Sequence, residues 1–217
     1  MIHKASLLLL AAAFVAGSAQ AQTVPVSAFD KQLARIDIGV QGVGEFNKTV
    51  SGVVIPTADD TGQVVTDVPS NTFGALVTVR YIARPWFGVE GNYGYARYTE
   101  NFSHAPYGAQ TKATEETLGY VATPPHQFFG LQPYVGAGVG TTKFTPTPHG
   151  GEGLPFQYRA TYYWNAGVQQ EYLNHHFGLR LGVRQLIFLA PDFGQNYLTF
   201  LKHTSTFEPG FGFYFRF

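Results

Sequence analysis

The sequence predicts an all-β fold, an eight-stranded antiparallel up-and-down transmembrane β-barrel with short periplasmic turns and long extracellular loops. Three observations lead to this prediction. Aromatic residues make up 16% of the chain and charged residues only 13%, whereas a soluble domain carries about 25% charged residues. Eight segments alternate apolar and polar residues with a period of two. After residue 21, no stretch is long and apolar enough for a membrane-spanning helix.

The N-terminal residues predict export through a signal peptide. His3 and Lys4 precede an apolar run from Ala5 to Ala16, which is too short to span a bilayer. Ala19, Gln20 and Ala21 then supply the small-x-small pattern that signal peptidase cleaves. We therefore predict a signal peptide at residues 1–21, cleaved after Ala21, and one barrel domain at residues 22–217. Because the chain has no cysteine, it offers neither a disulfide framework nor thiolate chemistry.

The alternating segments fall into a regular order of strands and connections. The predicted strands are Arg35–Phe46, Thr72–Ile82, Trp86–Thr99, Thr114–Thr123, Phe129–Lys143, Tyr158–Tyr172, Phe177–Ile187 and Ser205–Phe217. The short connections are Ala83–Pro85, Pro124–His126 and Leu173–His176, and the long ones are Asn47–Asn71, Glu100–Ala113, Phe144–Gln157 and Phe188–Thr204. Outer-membrane barrels have short turns in the periplasm and long loops outside. The pattern therefore places both ends of the barrel domain at the periplasmic side.

A soluble eight-stranded barrel has the same alternation, so the direction of the two faces must be decided. The apolar face carries aromatic residues near the strand ends, including Tyr81, Trp86, Phe129 and Phe177, as interfacial girdles do. The other face is rich in glycine and carries few charges of both signs. An arginine facing lipid at the midplane costs about 2–4 kcal/mol. The apolar face is therefore predicted to contact lipid and the polar face to line the interior, which predicts the bacterial outer membrane as the location.

Several motifs resemble a known family. Phe207, Phe211, Phe213, Phe215 and Phe217 resemble the C-terminal signature that the barrel-assembly machinery recognises in outer-membrane proteins. Asn165–Val168, Glu171–Tyr172 and Phe177–Arg180 are similar to the sixth and seventh strands of small OmpA/OmpX-like barrels, and Pro133–Gly138 is similar to their fifth strand. The resemblance covers essentially the whole exported chain. It implies the fold, the topology and an assembly signal at Phe211, Phe213, Phe215 and Phe217, and it says little about activity.

Charged residues on the predicted inner face form a candidate polar network. An eight-stranded barrel is only wide enough for its own side chains, so these charges are expected to pair across neighbouring strands. Glu171 and Arg180 flank the third short connection and are expected to be neighbours. The network is interpreted as a salt-bridged interior filling, with an ion path or gate as the functional alternative. Its predicted members are Glu45, Arg80, Glu90, Arg159, Glu171, Arg180, Arg184, Glu208 and Arg216.

Other motifs suggest binding or catalysis less directly. His203 and Ser205 resemble the His-x-Ser of lipid A deacylase barrels, in which a carboxylate orients the histidine, but here Thr206 follows the serine and the nearest acid is Glu208. Gly136, Gly138 and Gly140 imitate a phosphate-binding loop, yet they continue a strand, so we expect them to make room inside the barrel. The loop residues Asp59–Asp60 and His149–Glu152 are interpreted as solvated loop tips, and no metal or cofactor is expected.

These observations predict a non-enzymatic structural or surface-interaction protein whose interior is filled and whose extracellular loops meet partners. One alternative is a small OmpW-like channel for hydrophobic or ionic solutes, and a third reading is a lipid A-modifying enzyme. The expected partners are outer-membrane lipid and lipopolysaccharide, together with the barrel-assembly machinery through the last strand. The formal net charge is zero, which gives no reason to expect nucleic acid as a partner. A monomer is expected.

Overall fold

The computed structural model describes residues 27–55, 62–103, 108–151, 153–172 and 176–217. The predicted cleavage site and the loop residues Asp59–Asp60 lie outside these ranges. Within them, ten strands form one antiparallel sheet. The strands are β1 (Ile36–Asn47), β2 (Val50–Val53), β3 (Val64–Pro69), β4 (Thr72–Arg84), β5 (Phe87–Phe102), β6 (Ala109–Ala122), β7 (Gln132–Pro146), β8 (Gln157–Tyr172), β9 (Phe177–Leu189) and β10 (His203–Arg216).

Eight of these strands close into a barrel. Each of β4 to β9 pairs with the next strand along the chain, and β1 pairs both with β4 and with β10. The closing seam joins Asp37 to Arg216 and Val40 to Phe213. A closed ladder satisfies the backbone polar groups within the protein, which a strand in lipid requires. The predicted eight-stranded antiparallel up-and-down barrel is therefore confirmed.

Alternation along each strand separates a lipid-facing surface from an interior. In β5, nearly every second residue is buried, and Glu90 and Asn92 point inward while Val89 and Tyr93 point outward. The outward apolar residues form a band around the barrel. Members of this band include Ile38, Val40, Val79, Val89, Tyr93, Leu118, Val135, Val139, Leu181, Phe211, Phe213 and Phe215.

The strands extend further at the extracellular end than the sequence pattern predicted. β5 continues to Phe102 and β6 begins at Ala109, whereas residues 100–113 were expected to form a loop. The reason is an inversion of polarity along the strand. Below Tyr95, apolar residues point outward, but above it Arg97 and Asn101 point outward while Tyr98 and Phe102 are buried. The alternation with a period of two persists, but above Tyr95 the apolar residues lie on the inner face.

The first long connection also contains regular structure. β2 and β3 form a hairpin, and β3 continues along the upper part of β5, where Asp67 pairs with Phe102. At the periplasmic end, the second connection is longer than predicted, because β6 ends at Ala122 and β7 begins at Gln132. Phe129, which was expected to begin a strand, instead lies in this turn with a φ of 54°.

A short helix, α1 (Ala28–Leu33), precedes β1. The Ser27 hydroxyl accepts a hydrogen bond from the Asp30 backbone N–H, and the Ser27 N–H donates to the Asp30 carboxylate, each at 3.1 Å. This reciprocal pair is typical of a helix start. None of the helices in the described ranges is long and apolar enough to cross a membrane.

Candidate functional site in the barrel interior

The periplasmic half of the interior holds buried ion pairs. Arg80 and Glu90 are directly opposite each other on β4 and β5, and Arg80 Nε lies 2.8 Å from Glu90 Oε2. The same carboxylate accepts hydrogen bonds from the Tyr163 hydroxyl at 2.8 Å and from the Asn165 amide at 2.6 Å. Glu90 is fully buried. Its charge is therefore held by three donors, Arg80 from β4 and Tyr163 and Asn165 from β8, as a buried carboxylate requires.

Asp37 joins two further arginines to this group. It lies between Arg80 and Arg216 in the register of the neighbouring strands, and it accepts a hydrogen bond of 2.9 Å from Arg180 Nη2. Arg180 also donates to Gln169, its direct partner across the β8–β9 pair. Asp37 on β1 and Arg180 on β9 lie on strands that are separated by β10, so this ion pair spans the inner face of that strand.

Arg184 lies at the centre of a second group with an excess of carboxylates. Its guanidinium forms a bidentate ion pair with Glu115, in which Nη1 lies 2.7 Å from Oε2. The same Nη1 donates to Glu208 at 3.1 Å, and Glu45 shares the adjoining small cavity with all three residues. Three carboxyl groups therefore surround a single guanidinium. We name the ion pairs around Asp37, Arg80, Glu90, Arg180 and Arg184 the polar layer.

Three tyrosines fill the space between the arginines. Tyr134 lies 4.3 Å from the Arg80 guanidinium, Tyr163 lies 4.6 Å from that of Arg184, and Tyr214 lies 4.6 Å from that of Arg180. Cation–π contacts of this kind are strongest in desolvated sites.

Glycines on the inner face admit these rings. A Cβ at Gly138 would lie 2.6 Å from Tyr163, a Cβ at Gly178 would meet Tyr214, and a Cβ at Gly182 would meet the Tyr134 hydroxyl. Gly136 and Gly138 thus make room for Asn165 and Tyr163, which agrees with the expectation that the glycines of this strand serve packing.

The extracellular half of the interior is apolar. Phe102, Phe144 and Phe188 point inward from the strands and are buried. They meet Val54 and Val65 of the β2–β3 hairpin, and Phe193, Leu198 and Phe200 of the connection between β9 and β10. Phe102 and Phe193 pack edge to face with their ring centroids 6.4 Å apart. We name this cluster the apolar cap.

Asp192 fixes the fourth extracellular loop, residues 190–202, on the apolar cap. Its carboxylate accepts hydrogen bonds from the Gln157 amide at 2.6 Å and the Gly194 N–H at 3.0 Å, and it lies 2.9 Å from Arg159 Nη2. Partial burial raises the pKa of Asp192, but the hydrogen bonds from Gln157 and Gly194 and the charge of Arg159 outweigh it. The pKa is therefore held below its usual range, and the contact persists at neutral pH.

Two buried carboxyl groups lie side by side where β3 runs along the upper part of β5. Asp67 and Glu100 are buried, and both Asp67 oxygens and Glu100 Oε2 have no hydrogen-bond donor among the described residues. Burial raises the pKa of Asp67 to about 7. Burial, followed by the charge of Asp67, raises the pKa of Glu100 well above its usual range. Since none of the described basic side chains pairs with either carboxyl group, the pair is compatible with burial only while it retains a proton.

Little empty space remains between these groups. One cavity beside Glu45, Glu115 and Arg184 has a volume of about 20 Å³, and a second beside Arg80, Tyr134 and Arg184 has the same volume. Each has room for about one water molecule.

Several predicted network members have partners different from those expected. Glu171 was expected beside Arg180, but it pairs with Arg216 at the periplasmic rim, where both side chains are partly exposed. The prediction failed because Glu171 lies opposite Gly178, whereas Gln169 lies opposite Arg180. Arg159 pairs with Asp192 of the fourth loop and therefore lies outside the polar layer.

Asp37 and Glu115 belong to the polar layer but were missing from the predicted network. Asp37 has the same parity as Gln41 and Glu45 in its strand, so alternation could have included it. Glu115 is followed by Glu116 in the segment with the weakest alternation, and nothing in the local pattern shows which of the two points inward.

The residues that suggested a deacylase are not brought together. His203 and Ser205 lie two residues apart on the outer face of β10, whereas Glu208 points inward to Arg184. Glu208 is therefore unavailable to orient His203. Among the described residues, no cluster of three or more His, Cys, Asp or Glu side chains is arranged to hold a metal ion.

The sequence matches a family model described as "Outer membrane protein beta-barrel domain" over residues 6–215. The chain belongs to this family. Membership, together with the closed barrel and its apolar band, places the protein in the bacterial outer membrane. The outward phenylalanines of β10 lie in that band, and Phe211 and Phe213 are about half exposed. No curated protein matches the sequence significantly.

Solved structures of small outer-membrane barrels resemble this family member in fold. The outer membrane protein OprG from Pseudomonas aeruginosa is 16% identical over 84% of this chain and 95% of its own, with a TM-score of 0.62. Neisserial surface protein A (NspA) is 16% identical over 83% of this chain and 97% of its own, with a TM-score of 0.53. At these identities the similarity shows the fold alone.

Proposed function

We propose that this protein is a non-enzymatic surface-interaction barrel of the outer membrane, whose interior is closed to solutes and whose extracellular loops contact partners. The observation that carries the proposal is that two barriers, the polar layer and the apolar cap, lie one above the other along the barrel interior. The polar layer crosses the barrel at Arg180 and Arg184, and the apolar cap covers it on the extracellular side. A solute would have to break buried ion pairs and displace packed phenylalanines.

The exposed surface of the loops supports a role in contact with partners. Phe156, Tyr197 and Leu201 belong to the extracellular loops, and each is about half exposed or more. Exposed apolar residues that lie beyond the lipid band are typical of interaction sites. The outward phenylalanines Phe211, Phe213, Phe215 and Phe217 are proposed in addition as the signal read by the barrel-assembly machinery.

Conductance across a planar lipid bilayer tests the closed interior. The refolded protein is expected to give no discrete current steps in 1 M KCl. Phe193→Ala combined with Phe200→Ala weakens the apolar cap but leaves the polar layer, so it too is expected to stay silent. Phe156→Ala is the matched control, because its ring is exposed. Heat-modifiable mobility on gels confirms that each sample is folded. Reproducible current steps from the folded parent protein would overturn the proposal.

A narrow cation path is the second candidate, and the surplus of carboxyl groups around Arg184 favours it. Glu45, Glu115 and Glu208 line one small cavity, and Arg184 and Glu208 also line the second. Arg184 therefore lies where the two cavities meet. If the interior is a gated cation path, the parent protein conducts and Arg184→Ala raises a cation-selective current. If it is closed, the parent protein is silent.

A further inference from the structure

Three basic residues lie together on the outer face of three neighbouring strands. Arg97 on β5 pairs directly with Lys112 on β6, and Lys143 on β7 pairs with Thr114, two residues along from Lys112. Alternation places all three side chains on the face that also presents Tyr95, Leu118 and Val139. Diagonal neighbours across a strand pair are within reach of long side chains. We name Arg97, Lys112 and Lys143 the basic cluster.

The basic cluster lies at the outer boundary of the lipid band. Arg97 is ten residues along β5 from Phe87, the first residue of the strand at the periplasmic turn. Ten residues span about 33 Å along a strand, and at a tilt of about 40° they rise about 25 Å, which is the height of the apolar band of such barrels. The inversion of polarity in β5 begins at the same level, since Tyr95 faces lipid and Tyr98 is buried.

No carboxylate of the described chain neutralises these charges. None of the three residues forms an ion pair in the described ranges. The Arg97 guanidinium donates a hydrogen bond to the Gln110 side-chain oxygen. The Lys143 ammonium lies over the rings of Phe156 and Tyr158, at 4.7 and 5.4 Å. Glu116, on the same face, is also two residues along from Thr114, towards the lipid band, but it forms no ion pair with Lys143 in the described ranges. The cluster is thus a basic patch without an ion-pair partner among the described residues, beside an aromatic girdle.

We propose that the basic cluster binds the phosphate groups of lipopolysaccharide in the outer leaflet. Guanidinium and ammonium groups are the usual protein ligands of phosphate, and basic groups at the membrane surface attract anionic lipid headgroups. The apolar residues below the cluster contact the acyl chains of the same molecule. The proposal deepens the surface-interaction role and rests on it, but it does not depend on whether the interior is closed.

Binding of purified lipopolysaccharide to the refolded protein in neutral detergent tests the proposal. Three ligands are compared by thermophoresis: phosphorylated lipopolysaccharide, the same material after enzymatic removal of its phosphates, and phosphatidylcholine. The phosphorylated form is expected to bind, and removal of the phosphates is expected to weaken binding about tenfold or more. Equal binding of the phosphorylated and dephosphorylated forms overturns the proposal, as does the absence of binding.

Matched double variants locate the site. Lys112→Gln with Lys143→Gln is expected to weaken binding of the phosphorylated form about tenfold. The control, Lys48→Gln with Lys202→Gln, also removes two lysine charges, but near the extracellular ends of β1 and β10, on the opposite side of the barrel. It is expected to bind like the parent. Circular dichroism checks that both fold. Equal losses in the two variants, or no loss in the first, overturn the proposal. If the parent protein conducts but still binds lipopolysaccharide, only the proposal of a closed interior is overturned.

Discussion

At the scale of single residues, the polar layer depends on arginines, of which Arg180 and Arg184 each bond to more than one partner. Arg184 reaches Glu115 and Glu208 on two different strands at once, because its planar fork presents several donors. Removing one partner of a buried ion pair typically costs about 3–5 kcal/mol, since it leaves an uncompensated charge. Arg216 and Glu171 form the same kind of pair at the rim, but their partial exposure weakens the interaction through solvent screening.

The carboxyl pair Asp67 and Glu100 makes the extracellular hairpin sensitive to pH. The pKa of Asp67 is raised by burial to about 7 in the folded hairpin, from an ordinary value of 3.8. The folded form therefore holds a proton that the open form releases between about pH 4 and pH 7. By linkage, closure of the hairpin is most favourable below this window and weakens as pH rises through it.

Hydrogen exchange of the β2–β3 amides checks this prediction. After correction for its intrinsic pH dependence, exchange reports the equilibrium constant for opening of the hairpin. This constant is expected to be larger at pH 8.5 than at pH 5.5, because it rises about tenfold for each pH unit between pH 5.5 and the folded-state pKa of Asp67. Asp67→Asn removes one ionisable group and is expected to flatten the profile. Amides of β9, far from the pair, serve as the internal control. An opening constant that is independent of pH in the parent protein contradicts the assignment.

At the scale of strands, the packing of tyrosine into glycine positions predicts a difference between two glycines. A Cβ at Gly138 would lie 2.5 Å from the Gly119 Cα and 2.6 Å from Tyr163, whereas a Cβ at Gly42 would meet nothing within 4 Å. Gly138→Ala is expected to lower the free energy of unfolding by about 1–3 kcal/mol through overpacking. Gly42→Ala, on the lipid face, is expected to be nearly neutral. Urea unfolding in lipid vesicles measures both, and equal effects would refute the packing argument.

The strands were predictable where one face stays apolar and were missed where the apolar face changes. The eight barrel strands and their outward residues follow from alternation, because lipid demands an apolar outer face. Above Tyr95 the outer face meets water, and the inner face, with Tyr98 and Phe102, becomes the apolar one. A prediction that requires apolar residues on the same face throughout therefore ends the strand at Tyr95. The β2–β3 hairpin was missed for a related reason, since its buried valines, Val54 and Val65, pack on loops and other strands.

The partners inside the barrel were less predictable than the strands. Parity shows which residues point inward, but the pairing of Asp37 with Arg180, or of Glu115 with Arg184, joins strands that are not neighbours. Such contacts depend on strand tilt and stagger, which fix the relative heights of the residues. Local spacing carries no information on these quantities, and the expectation for Glu171 failed for the same reason.

At the scale of the whole molecule, the topology predicts which residues can be labelled from outside the cell. The chain has no cysteine, so single cysteines can be introduced without background. Pro155→Cys lies in the connection between β7 and β8, and Gln127→Cys lies in the turn between β6 and β7; both positions are exposed. A membrane-impermeant maleimide is expected to label the first in intact cells and the second only after the outer membrane is permeabilised. The reverse labelling pattern would show that the barrel has the opposite orientation in the membrane.

Ion pairs between strands that are not neighbours also bear on the order in which the barrel assembles. Arg180 on β9 pairs with Asp37 on β1, and Arg184 on β9 pairs with Glu115 on β6. No hairpin made of consecutive strands contains the carboxylates of both arginines. A half-inserted sheet would therefore turn unpaired guanidinium groups towards lipid, at about 2–4 kcal/mol each. Arg180 meets its carboxylate only when ring closure brings β1 beside β10, which favours strand insertion and ring closure as a single step.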